Sequence, residues 1–234
     1  MKIKKTNIKN FLSIPDFITL LNLSFGFISI LLSIDGYLRF SAISIIFASI
    51  CDSADGWVAR KIGRNDEYGF GKSIDALSDI VSFGVAPGII LYSICRMDNP
   101  KFICISAIIS LFMVITGVLR LTRSNVIADH LDFKGFIGLP ITATGLLIST
   151  FILTGIFHVN AHIAILTIIS LMFISSILMI SNIKYPKFNM RIVIIALILT
   201  LLIIIPIPIS YNEINIPATI LFTVSLMFTT KLFK

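Results

Sequence analysis

The sequence predicts an all-α, polytopic membrane bundle of about eight helices, on three observations. Of its 234 residues 56% are apolar and only 13% are charged, with a mean hydropathy of +0.99; a water-soluble fold needs far more polar side chains to dress its surface. Apolar runs of about 20 residues, enough to cross about 30 Å of hydrocarbon, recur along the chain. No stretch between them is long enough for a soluble domain, so residues 1–234 read as a single integral membrane domain. A soluble enzyme, a secreted disulfide scaffold and a disordered tail are excluded together.

The runs lie near 17–34, 40–58, 74–94, 102–121, 136–157, 163–181, 192–209 and 215–230, the last being the shortest. The first follows the basic stretch MKIKKTNIKN, yet it is too long for a signal peptide and lacks a small-residue cleavage site, so it is expected to stay as a span. Pro87, Pro140, Pro206 and Pro208 fall inside runs, where neighbouring helices can satisfy the freed backbone groups. Cys51, Cys95 and Cys104 match no zinc or disulfide spacing and are expected as buried apolar residues. Trp57 and Tyr68 read as interfacial aromatics, and His130, His158 and His162 as solvated.

Nineteen Lys and Arg against twelve Asp and Glu give a charge of +7. In so apolar a chain this excess marks retained loops and anionic membrane lipids, with no nucleic-acid partner. Eight spans leave only Arg39, Arg96 and Lys101 on one side and place every other basic residue on the other. Both termini and the loop between spans two and three are therefore expected in the cytoplasm, in a multi-pass protein of the cell membrane.

Eight of the twelve acids, including Asp16 and Asp35, sit in loops or at span ends, but Asp52 and Asp55 lie near the end of the second span and Asp75 and Asp79 near the start of the third. An ionised carboxylate inside a membrane helix is costly without a partner, which makes these four candidate functional residues. Helical periodicity puts 52, 55, 56 and 59 on one face and 71, 75 and 79 on another. Gly56, Ala59 and Gly71 share those faces, and a missing side chain there would let a bulky ligand approach. Arg60 adds a guanidinium suited to phosphate oxygens. Four converging carboxylates need neutralising, and oxygen donors without His or Cys suit Mg²⁺ or Mn²⁺. Two such divalent cations could hold a pyrophosphate, with one carboxylate taking the proton of an attacking hydroxyl.

The pattern Asp52-x-x-Asp55-Gly56-x-x-Ala59-Arg60, then Gly71-x-x-x-Asp75-x-x-x-Asp79, resembles the signature of the CDP-alcohol phosphatidyltransferase family. The segments IPDFITLLNLSFGF (14–27), SDIVSFGVAPG (78–88), LRLTRSN (119–125), FIGLPITATG (136–145) and SNIKYPKF (181–188) are similar to its phosphatidylserine and archaetidylserine synthases. The resemblance implies a six-helix catalytic core over 14–190, with 191–234 as two additional helices. It implies metal ligation by Asp52, Asp55, Asp75 and Asp79, with Asp79 also the proton acceptor, and CDP-lipid contacts from Asn22, Gly56, Ala59, Arg60 and Gly71. The implied reaction moves a phosphatidyl or archaetidyl group from a CDP-activated lipid to the hydroxyl of L-serine and releases CMP. One departure stands out: ten residues separate Arg60 from Gly71, more than is usual in the family, and Gly69 sits where the shorter spacing would put its glycine.

A carboxylate-bearing acceptor wants a cation, and Arg120, Arg123 and Lys184 lie at the cytoplasmic ends of spans four and six. Such residues, and Lys187 with them, more often serve as topology anchors or headgroup contacts, and Asn22 reads equally as an interhelical hydrogen-bonding residue. The Ile-rich segments after 190 read as packing surface, a homodimer interface among the options. Two other functions fit the acids: the same chemistry with glycerol phosphate or inositol phosphate as acceptor, and a cation transporter, which leaves Gly56, Ala59 and Arg60 unexplained.

Overall fold

A computed structural model describes residues 7–8, 11–64, 69–127, 135–186, 210–211 and 214–229. The chain is a polytopic helical membrane protein. Among the described residues, five helices are long and apolar enough to cross a bilayer: α1 (Ile14–Ile34), α2 (Leu38–Lys61), α3 (Phe70–Asp98), α4 (Ile103–Ile127, entered through a 3₁₀ turn at Pro100–Phe102) and α7 (Ala161–Ile180). Between α4 and α7 come a short strand β1 (Gly135–Ile137), α5 (Ile141–Leu153) and the single turn α6 (Ile156–Val159). Strand β2 (Lys184–Pro186) pairs antiparallel with β1, Phe136 facing Tyr185. Beyond it lie the two-residue strands β3 (Ser210–Tyr211) and β4 (Ile214–Asn215), then α8 (Ile216–Thr229). The expected seventh span, 192–209, on which the reading of a dimer surface partly rested, lies outside the described residues.

Helix α1 is polar inside and apolar outside. Its buried face is Pro15, Asp16, Thr19, Asn22, Gly26, Ser29 and Ser33, while Phe17, Leu21, Phe27, Leu31 and Ile34 are exposed. That inversion follows from the solvent: lipid tails offer no hydrophobic drive, so small residues that allow close backbones, and hydroxyls that bond across helices, gather at the interface. The Ser29 and Ser41 hydroxyls meet at 2.9 Å and join α1 to α2. Ser78 and Ser82 of α3 donate to the Thr19 and Asn22 carbonyls of α1, each at 3.0 Å.

Helix α3 is not regular throughout. Residues Ile80–Val85 form a π-helical segment that ends two residues before Pro87. Proline has no N–H to donate and its ring collides with the carbonyl four residues back, here that of Phe83; widening the turn absorbs both problems without breaking the span.

Two expectations are corrected here. The run 136–157 is not one continuous span: β1 occupies its start, Gly138 turns the chain at φ 77°, and the helix begins only after Pro140. A side chain at Gly138 would run into the Met179 carbonyl oxygen, so β1 lies against the end of α7. Helix α5 is therefore only about 20 Å long at 1.5 Å per residue, and its almost wholly buried surface makes it the centre of the bundle. Phe151 packs at a tilt against Phe222 of α8, with ring centres 5.4 Å apart. Of the cysteines, Cys95 alone is buried; Cys51 is half-buried and Cys104 exposed, as an apolar side chain facing lipid can be at no cost.

Candidate active site

The carboxylates of Asp52 and Asp55 on α2 meet that of Asp75 on α3, with one oxygen from each within 4.8 Å of the others. Gly63, at φ 62°, follows the end of α2 and Gly69, at φ 68°, opens α3, and the acidic faces of the two helices meet. Each of three aspartates is oriented by a side chain from another helix. Thr19 of α1 donates to Asp55 at 2.5 Å, Thr142 of α5 donates to Asp52 at 3.2 Å, and the Asn22 amide of α1 donates to Asp79 at 3.1 Å. Asp79 sits one turn deeper than Asp75, 5% exposed, beside the three-carboxylate cluster rather than within it.

Among the described residues, three buried polar atoms at the site have no hydrogen-bond partner: Oδ1 of Asp75, Nε of Arg120 and Oδ1 of Asn22. Arg120, on α4, is 6% exposed, lies 5.6 Å over the Phe136 ring and is within electrostatic range of Asp79, Asp52 and Asp75. Buried polar atoms are normally satisfied, so an orphaned carboxylate oxygen beside two further carboxylates fits a cation, and an orphaned guanidinium nitrogen fits an anion. The donor set is oxygen only, which suits a hard divalent ion.

The remaining sequence candidates separate by environment. Gly56 and Ala59 lie half-buried on the acidic face of α2, and the Arg60 guanidinium folds back over Gly56, 3.2 Å from where a side chain would begin. Gly71 is buried at the start of α3. Arg123 is spent on structure: it donates to the backbone carbonyls of Ile137, Met179, Ile180 and Ser181 at 2.9–3.1 Å, pinning β1 and the end of α7 to α4. Lys184 is exposed on β2.

The family model described as CDP-alcohol phosphatidyltransferase matches residues 12–230, nearly the whole described chain and beyond the segments quoted above. The chain belongs to the CDP-alcohol phosphatidyltransferase family. Among relatives, it is 45% identical over 180 residues to an archaetidylserine synthase of Methanothermobacter thermautotrophicus, covering 77% of this chain and 72% of that one. A CDP-diacylglycerol–serine O-phosphatidyltransferase of Methanocaldococcus jannaschii is 40% identical over 188 residues, 80% of each chain. One of Helicobacter pylori is 29% identical over 190 residues, 79% of this chain and 78% of that one. Within this phosphatidyltransferase, Thr19 and Thr142 were missed by sequence reasoning, because a lone Thr in an apolar helix gives no sign of what it faces.

Proposed function

We propose that this phosphatidyltransferase joins L-serine to a CDP-activated lipid. The serine hydroxyl oxygen forms a bond to the lipid-bearing phosphorus, the bond from that phosphorus to the CMP oxygen breaks, and CMP leaves. The observation that carries the reading is the orphaned Asp75 oxygen beside Asp52 and Asp55, with the orphaned Arg120 nitrogen across from them. Asp52, Asp55, Asp75 and Asp79 would hold divalent cations, Mg²⁺ or Mn²⁺, whose charge neutralises the diphosphate and stabilises the departing phosphate. Asn22 fixes one Asp79 oxygen, leaving the carboxylate aimed to take the serine proton once a hydroxyl is within hydrogen-bond reach. Gly56, Ala59 and Arg60 line the donor side. Arg120, rather than Arg123 with its carbonyl partners, is the cation for the serine carboxylate.

The lipid chains of the donor lie between helices whose outer faces are apolar, and its cytidine reaches water on the basic, cytoplasmic side. The high identity to an archaetidylserine synthase supports an ether-linked donor. Purified protein given CDP-archaeol or CDP-diacylglycerol, serine and Mn²⁺ should release CMP and form the serine lipid, the faster donor identifying its chains by mass spectrometry of the product. Release with glycerol phosphate or inositol phosphate but not serine would move the acceptor, and no release with any alcohol would reject the reading.

Thr142 offers a second test. Thr142→Val keeps the shape and removes the hydroxyl on Asp52, and partners of metal-binding groups are worth about tenfold or more in affinity. Half-maximal activation should therefore need about tenfold more Mn²⁺, with Thr142→Ser near wild type; the measurement is Mn²⁺-dependent thermal stabilisation alongside CMP release. Unchanged Mn²⁺ dependence would remove Thr142 from the site.

A further inference from the structure

Arg120 is 6% exposed, yet among the described residues no hydrogen bond and no ion pair reaches its guanidinium. An arginine offers N–H donors and no acceptor, and a buried charge with its donors unused is costly unless something else holds it. Here an aromatic ring does so: Cζ lies 5.6 Å over Phe136 of β1, inside the range at which a π face attracts a cation. Such a ring takes hold of the charge without consuming an N–H, so the donors stay free for an anion that enters the site. The nearby carboxylates attract the same guanidinium, and an ion pair with any of them would use those donors up. The ring is a competing hold that leaves them open.

Phe136 is itself held from two sides. Arg123, one turn further along α4, donates to the carbonyl of Ile137, the next residue of β1, at 2.9 Å. Pairing with β2 sets Phe136 opposite Tyr185, 1% exposed, and directly opposite residues of an antiparallel pair share one face. The exit from β1 is tied down as well: the Gly138 N–H donates to the Ile183 carbonyl at 2.8 Å and the Leu139 N–H to the Leu178 carbonyl at 3.0 Å. The contacts form a closed loop. Helix α4 carries both arginines; one fixes the strand, and the strand's phenyl ring fixes the other.

We propose that Phe136 is a positioning residue of the acceptor site: anchored by Arg123 and β2, its ring keeps Arg120 unpaired and ready for the carboxylate of an amino-acid acceptor. The proposal rests on the transferase reading, and it puts part of the choice of acceptor on a small sheet outside the acid-bearing helices.

Serinol, which has an uncharged hydroxymethyl group in place of the serine carboxylate, tests this directly. Phe136→Leu keeps apolar bulk and removes the π face. It should raise KM for serine about tenfold, the order of one desolvated cation–π contact, with KM for the CDP-lipid unchanged. The preference for serine over serinol in kcat/KM should fall by the same factor, and Phe136→Tyr, which keeps the face, should restore both. The two acceptors are read on one preparation, so any loss of folded protein cancels in the ratio. Arg120→Met should lower the preference further, and adding Phe136→Leu to it should change nothing more, because Phe136 acts only through Arg120. A wild-type serine KM in Phe136→Leu, a defect equal for serine and serinol, or effects that multiply with Arg120→Met would overturn the proposal. Wild-type protein that releases CMP equally well with serine and serinol also overturns it, by taking Arg120 off the carboxylate. Wild-type protein that releases no CMP with any acceptor overturns the transferase reading instead, so the two failures are distinct.

Discussion

Asp75→Asn should lower CMP release about a thousandfold, the upper end of what a single electrostatic group in an active site supplies, while leaving the bundle folded. The substitution conserves shape and removes one negative charge. Oδ1 of Asp75 is buried with no hydrogen-bond partner and its neighbours Asp52 and Asp55 carry the same charge. Neutralising it therefore breaks no bond to that oxygen and relieves repulsion, so thermal stability without divalent ions should hold or rise. On the proposed reading, what is lost is the third ligand. Stabilisation by Mn²⁺, which grows as RT ln(1 + [L]/Kd), should largely vanish in a melting titration. Turnover and Mn²⁺ stabilisation both at wild-type levels would remove Asp75 from the metal site. Asp16 provides the contrast: Asp16→Asn takes the counter-charge from Arg64, so its expected signature includes a lower melting temperature before any ligand is added.

Local spacing in the sequence was enough to put Asp52 and Asp55 on one helix face and Asp75 and Asp79 on another, because i, i+3 and i, i+4 patterns survive any packing of the helices around them. Asn22 was named for donor contact or for an interhelical hydrogen bond, and the structure shows the bond, to Asp79. The other groups that orient these aspartates were not legible. Thr142 meets Asp52 across 90 residues of sequence and Arg64 meets Asp16 across 48, and no local pattern encodes such a distance. Asp16 and Arg64 looked like ordinary charges at span ends, and only the fold pairs them. Hydropathy likewise ran through 136–157 without a break, since Gly138 and Pro140 barely lower an average that α5 dominates. Pro87 marked a disturbance in α3, but whether a kink or a π segment relieves it depends on what packs there. The polar face of α1 was present at helical spacing throughout, hidden by the Phe, Leu and Ile that face lipid.

That face sets up the second large effect. Gly26→Ala should destabilise the protein by about 1–3 kcal/mol, the usual cost of overpacking, and reduce turnover through a residue one turn away. A methyl at 26 would enter the Ser82 side chain and stand 2.7 Å from Ser82 Cα, which belongs to the backbone of the π segment. Trimming the partner therefore cannot make room: Gly26→Ala combined with Ser82→Gly should melt no higher than Gly26→Ala alone. Ser82→Ala by itself forfeits only the 3.0 Å bond to the Asn22 carbonyl, about 1 kcal/mol. The chemistry suffers because α1 and α3 separate where Asn22 holds Asp79. A wider gap releases that carboxylate from its fixed direction, so kcat should fall more than KM for either substrate rises. Recovery of stability in the Gly26→Ala, Ser82→Gly pair would show that side chains alone limit the approach, and that the backbones of α1 and α3 are free to slide past one another.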